Sequence, residues 1–95
     1  MIRNVVLIRL KPGNWEDRID EFDRAMRAVT YRGMTGFWLG RDAGLRDGNA
    51  DVAVVCDFED EDAYREYDTE PEHNRIRREI VAPIAEHVER CQFVI

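Results

Sequence analysis

Ninety-five residues leave room for one domain with a modest core, and 44% hydrophobic with 36% charged residues describes a globular chain without a membrane-length apolar run. The net charge of −6, from 14 basic and 20 acidic residues, argues against a nucleic-acid partner, because an acidic surface gains nothing from the counterion release a phosphate backbone offers. Met1-Ile2-Arg3 leads straight into a strand-like run, so no secretory leader is expected, and Cys56 and Cys91 are unpatterned and read as buried free thiols. A cytoplasmic protein is therefore expected.

In chain order, Arg3 to Leu10 (RNVVLIRL) is a β-branched apolar run closed by Lys11-Pro12-Gly13, which predicts a strand and a turn. Asn14 can cap a helix in which Trp15, Ile19, Phe22, Met26 and Val29 recur at steps of four and three, one apolar stripe. Met34 to Arg41 reads as a second strand and Asp51 to Phe58 as a third, joined by the Gly- and Asp-rich hairpin loop DAGLRDGNA. Asp60 caps a short helix through about Asp68. Thr69 and Glu72, three apart with Pro71 between them, form a capping box for a longer helix that runs toward Pro83. Arg90 to Ile95 is the terminal strand. Arg75, Arg77 and Arg78 interleave with Glu70, Glu72 and Glu79, the pattern of a solvated face with mixed pairs.

The order is strand, helix, strand, strand, helix pair, strand. In VVLI and VAVVC residues of both parities are apolar, so both faces of the sheet want cover, and helices supply it on one face only. The bare face exceeds what a soluble monomer tolerates, and a second copy packing sheet against sheet removes it. A homodimer is expected.

Two residues near the capping box are not required by a helix start. His73 is in line with Ile76, Ile80 and Ile84 at steps of three or four, and Tyr67 follows Ala63 and Tyr64 at four and three, so both side chains face the sheet. A core-facing imidazole at the first turn of a helix is favoured in its neutral form, in which it can act as a base; equally, it can donate one N–H to a carbonyl or to Tyr67 and plug the helix junction. Trp15, Trp38, Phe58, Phe22 and Met26 read first as core, with Phe22 and Met26 also candidates to line a pocket between sheet and helices. His87 is placed near the end of the last helical stretch and has no assigned role. His73 with Glu70, Glu72 or Asp68 matches no recognised metal-ligand spacing, so no metal is expected.

The strings IRNVVLIRLKPG, GRDAGLRDGNADVAVVCDFED and YREYDTEPEHNRI resemble, in this order and across nearly the whole chain, the stress-responsive A/B barrel (Dabb) domain family. The resemblance implies one such domain over residues 1–95, an α+β, ferredoxin-like βαββαβ protomer with a four-stranded antiparallel sheet, pairing into a dimeric α/β barrel. Members include stress-induced plant proteins, bacterial proteins of unknown role and a plant polyketide cyclase. That cyclase uses a Tyr and a His, spaced as Tyr67 and His73 are, as the acid/base pair of an intramolecular aldol cyclisation without a cofactor. Two further histidines of its pocket correspond here to Asn4 and Val52. The resemblance thus marks His73 and Tyr67 as catalytic candidates and Asn4 and Val52 as ligand-binding positions. It leaves three functions open: a cofactor-free enzyme acting on an apolar or aromatic small molecule, a ligand-binding or stress-response dimer without turnover, and a cofactor-independent monooxygenase.

Overall fold

The computed structural model describes all residues, Met1–Ile95, and contains one four-stranded antiparallel sheet with helices on one face. The elements are β1 (Ile2–Leu10), α1 (Glu16–Ala28), β2 (Met34–Arg41), β3 (Val52–Phe58), α2 (Glu61–Thr69), α3 (Pro71–Ile76) and β4 (Ala85–Val94), in the sheet order β2-β3-β1-β4. This is the βαββαβ, ferredoxin-like arrangement. The register sets Asn4 opposite Cys56 and Gln92, and Ile8 opposite Val52 and Val88, so even-numbered β1 residues share the helix face with even-numbered residues of β3 and β4. Against that face α1 presents the buried Ile19, Phe22 and Met26, α2 presents Ala63 and Tyr67, and α3 presents His73 and Ile76.

The other face carries Val5 and Leu7 of β1, Ala53 and Val55 of β3, Trp38 of β2 and Phe93 of β4. Leu7, Trp38 and Phe93 are 43%, 53% and 45% exposed within the protomer. Arg3 and Asp57 pair there through two 2.8 Å hydrogen bonds. Cys91, expected to be buried, is exposed: it faces outward beside Val5 on an edge strand that nothing in the protomer covers.

Three local expectations need correction. Asn14 accepts from the Glu16 N–H at 3.2 Å, but the cap position of α1 is Trp15, one residue later. The capping box does not form. Thr69 is the last residue of α2 and donates its hydroxyl back to the Arg65 carbonyl at 3.0 Å, while Glu70 caps α3 by accepting from the N–H groups of Glu72 (3.1 Å) and His73 (2.6 Å). With Glu70 the one non-helical residue between two abutting helices, the acceptor must come from Glu70 itself, and Glu72 turns outward to Arg75. The helix also loses α geometry early: Arg77–Val81 is a π-helical turn closed by Ala82 N–H to Arg77 carbonyl at 2.8 Å, and β4 begins at Ala85 rather than at Arg90. His87 is consequently a strand residue, exposed, with Nε2 2.6 Å from Glu89 Oε1. Charged residues hide the strand signal there, because β4 is an edge strand with much of its length in solvent.

Gly33 has φ +78°, and a Cβ there would fall 2.5 Å from Cβ of Ala63, so the turn before β2 requires glycine for α2 to approach.

The two caps can be separated by experiment. Glu70→Ala, which orphans two N–H groups, should lower stability by about 1 to 2 kcal/mol, whereas Thr69→Ala should stay within about 0.5 kcal/mol. Urea midpoints at matched slopes measure both; a larger loss for Thr69→Ala would restore the capping box.

Candidate functional site

Tyr67 and His73 meet at the junction of α2 and α3. Both are buried, at 4% and 3% exposure, and their rings lie 4.0 Å apart between centroids with 35° between planes, a tilted stack rather than a hydrogen bond. Tyr31, in the turn after α1, closes the cluster edge-on, 5.0 Å from Tyr67 and 5.8 Å from His73, and Phe58 packs 5.0 Å from Tyr67. The Tyr67 hydroxyl is 4.0 Å from Cys56 Sγ, and the Tyr31 hydroxyl is 3.9 Å from Met26 Sδ, both weak contacts. The Glu70 cap fixes the backbone that carries His73.

Neither ring nitrogen of His73 has a hydrogen-bond partner, although both are buried. The imidazole therefore does not plug the junction through a carbonyl or through Tyr67. His73 is one of the residues lining a cavity of about 190 Å³ between sheet and helices, whose wall also includes Val6, Ile8, Val54, Phe22 and Tyr67. Arg77 and Arg90 stand at its edge. Arg77 is held by Asp68, through the carboxylate at 2.9 Å and the carbonyl at 3.0 Å, and its guanidinium carbon lies 5.9 Å from the Tyr67 ring centre.

Burial, reinforced by the Arg77 guanidinium and opposed by Asp68, pushes the His73 imidazole down from 6.5 to about 3. Burial also holds the Tyr67 hydroxyl well above the usual phenol range, with Cys56 adding to the effect, and pushes the Cys56 thiol up to about 11. At neutral pH the pair is a neutral imidazole, with one free lone pair and one unpaired N–H, beside a protonated phenol that can donate.

Of the positions expected at the site from the resemblance and from the α1 stripe, the structure brings Tyr67, His73 and Phe22 to the cavity. Asn4 is on the same sheet face and buried, but its side-chain oxygen accepts from Gln92 Nε2 at 2.7 Å, and it does not line the wall. Val52 is packed in the core toward the far end of β3, and Met26 is buried under Tyr31; neither borders the cavity. Residues that sequence reasoning missed are Glu70, Tyr31, Arg77 and Arg90. Arg77, four positions after His73, carries a helical-spacing signal; Tyr31, in a turn, has none.

The sequence profile described as Stress responsive A/B Barrel Domain matches residues 2–95. The chain belongs to the stress-responsive A/B barrel family. Solved structures agree. A dimeric ferredoxin-like protein of unknown function from Thermobifida fusca is 29% identical, with a TM-score of 0.88 over 99% of this chain and 90% of that one. A Dabb family protein from Mesorhizobium loti is 23% identical, with a TM-score of 0.78 over 99% and 95% of the two chains. A hydroxynitrile lyase from Passiflora edulis is 18% identical, with a TM-score of 0.82 over 99% and 92%. No curated protein matches the sequence. As a Dabb protein the chain has no helix long and apolar enough to cross a membrane.

The depressed basicity of His73 has a stability signature. Its folded value lies below 6.5, so the unfolded chain takes up the proton first as pH falls; the stability due to neutral His73 is complete above 6.5 and is lost as pH drops toward about 3. Between pH 6.5 and about 5, where most carboxylates stay ionised, the urea midpoint should fall in the parent protein and fall less in His73→Phe. Equal slopes in the two proteins would show that His73 is not buried neutral.

Proposed function

We propose that this protein is a homodimer that binds a small molecule in the cavity between sheet and helices, with His73 and Tyr67 fixing the ligand's polar end. The observation that carries the reading is the pair of buried His73 nitrogens without partners. Each unsatisfied buried polar group costs about 1 to 3 kcal/mol, and a ligand hydroxyl or carbonyl at the cavity end would recover that cost. Tyr67 supplies the complementary donor. Phe22, Val6 and Val54 take the apolar body.

The dimer reading rests on the outer sheet face, where Leu7, Trp38 and Phe93 form an apolar surface around Val5 and Val55 with no cover in the protomer. The Thermobifida fusca neighbour is described as dimeric, as this reading requires. Packing the sheets face to face leaves the helix-side cavity of each protomer intact.

Turnover by acid–base chemistry on the same pair is a second reading, favoured by its protonation pattern. A neutral imidazole could take a proton from an activated C–H while the Tyr67 hydroxyl donates to the developing enolate or alkoxide. Binding is put first because an imidazole brought down to about 3 is a weak base in the unliganded protein.

Light scattering at micromolar concentration should give about twice the 11.2 kDa chain mass, and Trp38→Glu, which puts a charge in the outer face, should give the monomer mass. A monomeric parent protein would overturn the dimer. For the site, phenol and cyclohexanone serve as neutral probes. Each should shift the His73 imidazole resonances in a saturable way. Tyr67→Phe should weaken phenol binding by roughly tenfold or less with little loss of stability, while His73→Ala should abolish it and leave the dimer folded. Two variants that lose only stability, with probe binding unchanged in the folded fraction, would make the pair structural.

A further inference from the structure

We infer that the cavity is built for a small amphipathic monoanion: a single-ring or short-chain carboxylate whose apolar body enters between sheet and helices while its carboxylate stays at the mouth with Arg77 and Arg90. The inference rests on the binding reading above and adds the ligand's charge and size.

The cavity wall contains two guanidinium groups and no Asp or Glu, in a chain that carries 20 acidic against 14 basic residues. A cavity rimmed by one sign of charge, with low-dielectric walls beneath, selects for the opposite charge. The two cations differ in role. Arg77 is locked by the Asp68 carboxylate and carbonyl and by Asn74 Oδ1 at 3.1 Å, so its charge is largely balanced and its donors are held in place. Arg90 takes part in no ion pair. In the register of β4 it stands opposite Val6, which places it on the cavity side of the sheet rather than on the outer face. The mouth therefore holds one uncompensated positive charge beside a pre-positioned guanidinium. Arg–carboxylate geometry makes a carboxylate the fitting anion.

The interior limits the rest of the ligand. The walls are mostly aliphatic, and His73, buried and without a partner for either ring nitrogen, is one of the few polar residues among them. A cavity of about 150 Å³ accommodates a benzene ring. At about 190 Å³ this one matches a ring with one small substituent or a short acyl chain.

The test compares matched acids and amides on the full chain: benzoate with benzamide, and hexanoate with hexanamide, followed by the His73 imidazole resonances and by calorimetry. The acids should bind about tenfold tighter or more than the amides, with a preference that shrinks at high salt. Arg90→Gln should reduce the acid-to-amide ratio by about fivefold or more, and Arg90→Lys should restore most of it. The Arg90 side chain makes no hydrogen bond or ion pair within the protomer, so circular dichroism should be unchanged in both variants. Amides binding as tightly as acids, or a ratio that survives Arg90→Gln, overturns the inference. If phenol and cyclohexanone shift His73 while the carboxylates do not, the charge assignment fails and the binding reading stands. If no probe of either kind shifts His73, both fall.

Discussion

β1 must be covered on both faces, and most of this protein follows from that requirement. The strand is central, flanked by β3 and β4, and its two parities are each largely apolar. The helices bury Asn4 and Ile8 with Val54 and Cys56, partly cover Val6, and cannot reach around to Val5 and Leu7. The helix side therefore becomes the core and holds the cavity, while the other side is left as an apolar sheet surface. The same two-sidedness leaves a cavity under the helices on one face and an uncovered apolar surface on the other.

The site depends on how the helix layer is broken. A continuous helix from Asp60 to Val81 would pass α2 and α3 over the sheet as one rod. The break at Glu70 and Pro71 turns the chain so that Tyr67 at the end of one helix and His73 at the start of the next stack on each other. The N–H groups exposed by the break need acceptors, and the Glu70 carboxylate supplies both. The π-helical turn that follows then swings Arg77 back toward Asp68 and the Tyr67 ring. The π-helical turn contributes Arg77 and Val81 to the cavity wall, and the break sets Tyr67 and His73 beside it.

The electrostatics follow from burial. A buried imidazole without a hydrogen-bond partner is stable only as the neutral base, and a buried phenol only as the neutral acid, so the pair is left with complementary hydrogen-bonding capacity and no charge. Charge is confined to the mouth, where the guanidinium groups keep contact with water.

Element order, the boundaries of β2, the inward direction of Tyr67 and His73 and the bare second face of the sheet were legible in the sequence, because each is a matter of side-chain periodicity against burial. The Ile19, Phe22 and Met26 stripe and the apolar parities of β1 and β3 are periodic over several turns or residues, and local signals of that length survive folding. The extent of β4 was not legible: its first six residues include Glu86, His87, Glu89 and Arg90, and an edge strand can be polar because its ladder hydrogen bonds to β1, not its own hydrophobicity, hold it in place. The cap on α3 escaped for a related reason. Thr69 and Glu72 have the right spacing, but which residue caps is decided by where α2 ends, and α2 runs through Thr69. Only the tertiary structure could bring Tyr31 from a turn 42 positions before His73 into the same cluster, bond Asn4 to Gln92 and away from the cavity, and carry Arg90 across from the last strand to the mouth where Arg77 waits. Periodicity reports which way a side chain faces; what it meets there is set by distant segments, through contacts that no local pattern encodes.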